Sequence, residues 1–118
     1  MNIELSRFRV REGKSEAVDR WMRFLNEHME EVLLTLNGEK MYIETIFREK
    51  TEGVEYLYWY SIQGENGIKV EDSESWIDKK HLEYWDECID TNYQVDMTME
   101  VSMIPHRIAE RMIEDEEL

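Results

Sequence analysis

The segment EYLYWYSIQ (residues 55–63) restricts the fold most, because it is apolar or aromatic on both faces. Successive side chains of a strand point to opposite faces of a sheet. One face of this segment carries Leu57 and Trp59. The other carries three tyrosines, Tyr56, Tyr58 and Tyr60. A strand of this kind is typical of a sheet that is covered on both sides.

The other apolar patterns predict alternating strands and helices. Strands are expected at residues 2–10, 41–49, 55–62 and 95–104. Helices are expected at residues 15–36 and 75–89, with a short terminal helix from Pro105. This order is that of the ferredoxin-like α+β fold, a four-stranded antiparallel sheet with two helices on one face. Residues 1–104 are therefore predicted to be a single ferredoxin-like domain, and residues 105–118 a C-terminal helix and acidic tail.

The predicted plan leaves the second face of the sheet without a cover. Strands one and three are central in it, so the aromatic segment at residues 55–63 lies in the middle of that face. Burying such side chains contributes on the order of 1.5–3 kcal/mol each. A second copy of the sheet is the simplest cover, and we expect a homodimer whose sheets pack face to face.

Composition and charge argue against several kinds of partner. The 118 residues include 28 acidic and 14 basic side chains, for a net charge of −14. Without a basic stripe, binding to nucleic acid is not expected, and the same sign of charge disfavours anionic membranes. Cys88 is the only cysteine, so no intrachain disulfide can form. No segment approaches the roughly 18 apolar residues of a membrane span, and we expect a cytoplasmic protein.

Several segments resemble known proteins. VREGKSEAVDRW (residues 10–21) resembles the strand end, turn and first helix of the dimeric α/β-barrel superfamily, which includes the antibiotic-biosynthesis-type monooxygenases. The wider pattern resembles a family of small uncharacterised bacterial proteins, through LSRFRV, LLTLNGEKMYIETIFRE, EYLYWYSIQGE, DKKHLEYWDECID and VDMTMEV. The resemblance implies a dimeric α/β barrel with a site in the cleft between sheet and helices. It does not imply one reaction, because the superfamily includes cofactor-free oxygenases, haem-degrading enzymes, sugar mutarotases and isomerases.

His81 is one of two candidate catalytic residues. Steps of three and four residues along the predicted helix connect it to Tyr84 and Trp85, so it borders an aromatic face. A neutral imidazole there could act as a general base or as an axial ligand of haem. The alternative is a solvated histidine, or one bonded to a neighbouring carboxylate. The strongly acidic composition disfavours haem, whose propionates are anionic.

Glu44 is the second candidate, and it shares a strand face with Arg48. If that face points inward beside Tyr58 or Tyr60, Glu44 could have a raised pKa and act as an acid or base. The alternative is that Glu44 and Arg48 point outward at a sheet edge or bond across strands. Tyr58 and Tyr60 are then residues of the core or of an interface.

No metal site and no cofactor are predicted. The three histidines are far apart in sequence, and neither a His-x-x-x-His nor a Cys-x-x-Cys motif occurs. The glycines form no phosphate-binding fingerprint. Cys88 is interpreted as a buried structural thiol rather than a nucleophile.

Three hypotheses of function remain after this sequence analysis. The first is a dimeric protein that binds a small molecule in an aromatic cleft. The second is a cofactor-free monooxygenase, isomerase or mutarotase that uses Glu44 or His81 to move protons. The third is a structural or regulatory dimer whose acidic surface meets a basic partner. The residues predicted to contact a ligand are Tyr58, Trp59, Tyr60, Arg48 and Trp85.

Overall fold

The secondary structure follows the predicted order with two changes. A computed structural model describes residues 1–116, with side chains through Glu114. The strands are β1 (Asn2–Val10), β2 (Met41–Thr51), β3 (Val54–Gln63) and β4 (Ile89–Asp96). The helices are α1 (Ser15–Glu27), α2 (Met29–Glu39), α3 (Trp76–Cys88) and α4 (His106–Glu116), with a short 3-10 helix at Val70–Asp72. Residues 117 and 118 of the predicted acidic tail lie outside the described residues.

The four strands form one antiparallel sheet in the order β2-β3-β1-β4. The predicted α+β class, the antiparallel sheet and the central position of β1 and β3 are confirmed. The register places Phe8 opposite Leu57, and Leu57 opposite Arg48. Directly paired side chains point to the same face of a sheet, so these three residues share the face on which α1 and α3 pack.

The two faces of β3 have different neighbours. On the helix-covered face, Leu57 is fully buried. The ring of Trp59 lies 5.7 Å from that of Trp21 in α1 and 5.3 Å from that of Trp85 in α3. The three tyrosines of the segment point to the opposite face, which we call the second face. Part of the second face remains exposed, since its Phe47 in β2 is 58% accessible.

The core lies between the sheet and the helices α1 and α3. Its fully buried side chains are Val18, Trp21, Leu57, Ile77, Cys88 and Ile89. Each large apolar side chain buried in this way contributes on the order of 1.5–3 kcal/mol to folding. Cys88 is a buried thiol, as predicted. No helix within residues 1–116 is long and apolar enough to cross a lipid bilayer.

The single helix predicted at residues 15–36 is wrong, because the structure has two helices that meet at His28. The backbone of His28 has φ −111° and ψ 29°, outside the helical range. Its ring packs edge-on against Phe24 at 4.8 Å and Trp76 at 5.3 Å. Hydrogen bonds still run from the His28 N–H to Phe24 and from the Val32 N–H to His28. The bend therefore preserves the apolar periodicity, which is why the sequence predicts one helix.

The strand predicted at residues 95–104 is also wrong. β4 starts at Ile89, which is buried directly after α3, and it ends at Asp96. Residues 97–104, which we call the C-terminal arm, form no strand, and their one backbone hydrogen bond to the sheet within the described residues runs from the Met97 N–H to the Leu5 carbonyl at 2.8 Å. The apolar side chains of the arm are between 37% and 86% exposed: Met97, Met99, Val101 and Met103. Their alternation is typical of a strand, but beyond Met97 no described strand pairs with the arm.

Candidate functional site

A cleft of about 1160 Å³ lies between the sheet and the helices α1, α2 and α3. The helix-covered face of the sheet forms its floor, since Phe8, Ile46 and Trp59 lie on that face and line the cleft. A β-bulge between Met41 and Ile43 changes the register at the start of β2. After the bulge Glu44 pairs with Ser61, and both side chains line the cleft. The size is within the range of sites that hold small organic molecules.

His81 lies in the cleft and is fixed by a hydrogen bond. The indole Nε1–H of Trp21 donates to His81 Nδ1 at 3.0 Å. Burial lowers the pKa of His81, and the nearby charge of Asp78 only partly opposes this effect. The imidazole is therefore neutral at pH 7. Because Nδ1 accepts a hydrogen bond, the proton of the neutral ring lies on Nε2.

Glu44 lies on the floor of the same cleft. Burial raises the pKa of its carboxyl group above the ordinary value, and the charge of Asp78 raises it further. A hydrogen bond from the Trp59 indole favours the carboxylate and opposes these effects. The ring of Trp59 is also 5.7 Å from that of His81. Glu44 and His81 thus have one aromatic neighbour in common.

Two further carboxyl groups line the cleft and are nearly inaccessible. Glu39 is 8% exposed and Asp78 is 5% exposed. Burial raises the pKa of Glu39 to about 7, and the charges of Glu44, Asp78 and Glu71 act in the same direction. Neither side chain forms a hydrogen bond or an ion pair within the part of the chain whose side chains are described. A buried carboxyl group without a partner is unusual in proteins.

The aromatic wall of the cleft is formed by three rings that contact one another. Phe8 lies 4.7 Å from Trp85, and Trp85 lies 5.3 Å from Trp59, both in edge-on geometry. These rings belong to β1, α3 and β3, so packing between three elements fixes their positions. The cleft therefore combines a rigid aromatic wall with inward-facing carboxyl groups and one neutral imidazole.

The predicted site residues divide into two groups. Glu44, His81, Trp59 and Trp85 all line the cleft. Tyr58 and Tyr60 lie on the second face of the sheet, so they are not beside Glu44.

Arg48 points to the helix-covered face but belongs to a separate ion-pair network. Its guanidinium donates to Glu55 at 2.7 Å, to Asp19 at 2.6 Å and to the carbonyl of Ser15 at 3.0 Å. These partners occupy its hydrogen-bonding directions, so Arg48 serves to neutralise buried Glu55.

Sequence reasoning missed Glu39 and Asp78. Asp78 stands three residues before His81, a spacing that places both on one side of a helix and could have indicated it. Glu39 gives no such signal, because its burial depends on the loop around Gly67. A side chain at Gly67 would clash with the main chain of Glu39. The Ile68 N–H also donates to the Gly38 carbonyl at 2.8 Å, which holds the loop over the end of α2.

The chemistry of the cleft is that of polar recognition and proton transfer. Among the described residues, no group of three or more His, Cys, Asp or Glu side chains is arranged to hold a metal ion. The carboxyl groups can accept hydrogen bonds or bind a positive charge, and His81 Nε2–H can donate one. Glu44 and His81 both have pKa values shifted toward their neutral forms.

Comparison with known proteins gives a family but no activity. Neither a curated protein nor a solved structure shows significant similarity to the chain. A family profile matches residues 1–110, which cover β1 to β4 and the cleft, and that family is described as one of unknown function. The chain therefore belongs to the family of unknown function DUF6176.

Proposed function

We propose that the protein binds a small organic molecule in the cleft between the sheet and the helices. One observation carries this proposal: two ionisable side chains, Glu44 and His81, lie in one aromatic cleft, each bonded to an indole N–H. Binding sites typically combine apolar walls with a few convergent polar groups whose pKa values are perturbed. The superfamily that the sequence resembles also has its sites in this position.

The test uses the four tryptophans as internal reporters. Trp21, Trp59 and Trp85 lie in or beside the cleft, whereas Trp76 is 54% exposed and does not line it. Each indole N–H gives one signal in a ¹H–¹⁵N NMR spectrum. We expect the low-molecular-mass fraction of a host-cell extract to shift the signals of the first three and to leave that of Trp76 in place. If all four signals stay in place, or only that of Trp76 moves, the proposal is wrong.

A proton-transfer enzyme is the second candidate function. The observation that favours it is that Glu44 and His81 face the same cleft with pKa values shifted in opposite directions. A neutral imidazole is a suitable base, and a carboxyl group whose pKa is raised is a better acid–base partner near neutral pH than an ordinary one, as isomerases and mutarotases require. A cofactor-free oxygenase would need the same kind of base. General acid–base groups contribute typically 10²–10⁴-fold to a rate.

The enzyme hypothesis has its own test, once a bound molecule is known. Glu44→Gln and His81→Gln should each lower turnover by about 10²-fold or more while changing binding only a few-fold. Equal losses of binding and turnover would instead assign both residues to recognition. If wild-type protein does not convert the bound molecule, the binding proposal stands and the enzyme hypothesis is wrong.

A homodimer is the assembly that the exposed apolar surfaces favour. Ile43 and Phe47 remain exposed on the second face, and the C-terminal arm exposes one apolar side chain at every second residue. β4 pairs with β1 only from Ser6 to Val10 of β1. One further hydrogen bond, from the Met97 N–H to the Leu5 carbonyl, joins β1 to the residue that follows β4. Exposed apolar patches of several hundred Å² are typical of interaction sites. A second copy supplies both a sheet face and a free strand edge.

Substitutions in the arm test this assembly. The arm's eight residues, extended, span about 26 Å, enough to cross a neighbouring four-stranded sheet about 14 Å wide. Met99→Lys with Val101→Lys should weaken dimerisation at least tenfold, measured by analytical ultracentrifugation. The matched control is Thr98→Lys with Ser102→Lys, which adds the same charge to the opposite side of the arm. A wild-type monomer of 14.4 kDa at micromolar concentration would contradict the dimer.

A structural or regulatory dimer is the outcome if the cleft binds nothing. We also propose a reducing cytoplasm as its location, with Cys88 as a buried thiol.

A further inference from the structure

The charge of the cleft restricts what it can bind. Among the described residues that line it are seven with carboxylate side chains and one with a cationic side chain, Lys69. His81 adds no charge at pH 7, because burial lowers its pKa. Opposite charges within a few ångströms stabilise each other more strongly in a partly buried cleft than in water. An anionic ligand is therefore disfavoured in this cleft.

The pairing of buried carboxyl groups differs between this cleft and the rest of the chain. Glu55 is as inaccessible as Glu39, at 9% against 8% exposed. Glu55 accepts hydrogen bonds at Oε1 from Arg48 and Ser15, although its Oε2 has no partner, whereas no described cationic side chain forms an ion pair with Glu39 or Asp78. The fold thus supplies a cation to the buried carboxylate outside the cleft and none to the two inside it.

The position of Glu39 in its helix does not explain why its carboxyl group is buried. Asp78 lies in the first turn of α3, where the helix dipole stabilises a negative charge. Glu39 is the last residue of α2, where the dipole has the opposite sign and destabilises a carboxylate. Burial of the Glu39 carboxylate therefore destabilises the folded protein when the cleft is empty. A positive charge bound beside Glu39 would instead make this carboxylate stabilising.

We propose that the cleft selects an organic cation, a protonated amine or a quaternary ammonium group, whose charge is held by Glu39 and Asp78 and whose apolar part contacts Trp59 and Trp85. This inference rests on the proposed function, because it specifies the ligand class of the same site. Aromatic rings bind such cations through their negative faces, with Trp the most effective. Inorganic cations are less suitable, since they require three or more ligands in fixed geometry, which the described residues do not provide.

The experiment compares molecules of the same shape that differ in charge. Choline is paired with its neutral isostere 3,3-dimethylbutan-1-ol, and phenethylamine with 2-phenylethanol; Mg²⁺, Ca²⁺ and butyrate complete the set. Affinities are measured by NMR titration at pH 7.5, with the indole signals of Trp59 and Trp85 reporting the site. We expect at least one organic cation to bind tenfold or more tightly than its neutral isostere.

Substitutions locate the charge recognition. Glu39→Gln and Asp78→Asn should each weaken binding of the cation about tenfold and leave binding of the neutral isostere within twofold. Glu30→Gln, on an exposed position of α2, is the matched control and should change neither. A ¹H–¹⁵N spectrum of each variant shows whether it is folded. The wild-type comparison of charged and neutral molecules stands even if one variant does not fold.

The possible outcomes distinguish failure of the cation inference from failure of the proposed binding function. If the neutral isosteres bind in the cleft as tightly as the cations, or if only butyrate or only the metal ions bind, the cation inference is wrong and the cleft remains a binding site. If no molecule of either charge shifts the cleft signals and the cell extract also fails, both proposals are wrong.

Discussion

Replacing Glu39 with glutamine should make the protein more stable at neutral and alkaline pH. The carboxyl group of Glu39 is buried beside Glu44, Asp78 and Glu71, and its pKa is raised to about 7. In the unfolded chain its pKa is 4.5. The folded state therefore binds this proton more tightly, so stability is highest at low pH and falls as the pH rises from 4.5 to 7.

The magnitude follows from the two pKa values. Their difference, 7 − 4.5, is about 2.5, which corresponds to a loss of about 3 kcal/mol in the free energy of unfolding, complete somewhat above pH 7. Glutamine has nearly the same shape and does not ionise. The stability of Glu39→Gln relative to wild type should therefore increase by about 2–3 kcal/mol between pH 5 and pH 8.5. A loss of this size is a large fraction of the stability of a small domain.

The assay is urea denaturation at fixed protein concentration from pH 5 to pH 8.5, with the free energy of unfolding extrapolated to water. His81 and the surface carboxylates titrate in both proteins, so their effects cancel in the difference. Glu30→Gln is the control, and its difference from wild type should not vary with pH. A Glu39→Gln difference that is constant across the range would refute the burial and the unpaired state of this carboxyl group.

Three further predictions concern the groups around the cleft. Arg48→Met should destabilise the fold by about 3 kcal/mol in urea denaturation, because it leaves buried Glu55 with only the longer ion pair to Lys50 at 3.6 Å, and Arg48→Met combined with Glu55→Met should recover most of that loss. Recovery of none of it would show that the pair is not coupled. Trp21→Phe removes the hydrogen bond to His81 Nδ1 and should cost about 1–3 kcal/mol, with a change in the ¹⁵N shifts of the imidazole. Unchanged imidazole shifts would contradict that bond. At pH 6.5, the ordinary pKa of histidine, His81 should be mainly neutral in the folded protein because burial lowers its pKa, and a ring that is mainly protonated at that pH would be inconsistent with its position.

Local patterns predicted most of the fold. Residues 2–10, with Ile3 and Leu5 on one parity and Phe8 and Val10 on the other, and the doubly apolar segment at residues 55–63 were sufficient to predict β1 and β3. The apolar spacing at Trp76, Ile77 and Trp85 likewise located α3. Ile77 is buried as this pattern predicts, whereas Trp76 is 54% exposed.

The wrong predictions at residues 15–36 and 95–104 have the same cause. The apolar pattern of a segment does not show which part of the protein the segment packs against. The C-terminal arm alternates as a strand does, yet β4 is formed by the eight residues before it. β4 is instead fixed by Ile89, which is buried as soon as α3 ends. The bend at His28 preserves the helical period, so nothing in the local pattern reveals it.

The site was half predictable from sequence. Glu44 and His81 were identified by residue type, and their position in one cleft follows from which strand face meets the helices. Glu39 was not identified, because a glutamate after Asn37-Gly38 looks like a solvated helix end. Its burial comes from a loop that closes over it, which a single sequence does not reveal.

Native mass spectrometry of the protein, purified gently from its own host cells, tests the central claim most directly. The account predicts a discrete adduct of a few hundred daltons on wild-type protein, and loss of that adduct in Glu39→Gln combined with Asp78→Asn but not in Glu30→Gln. A bare polypeptide mass for wild-type protein, under conditions that preserve known complexes of similar affinity, would contradict the claim that this cleft is a binding site.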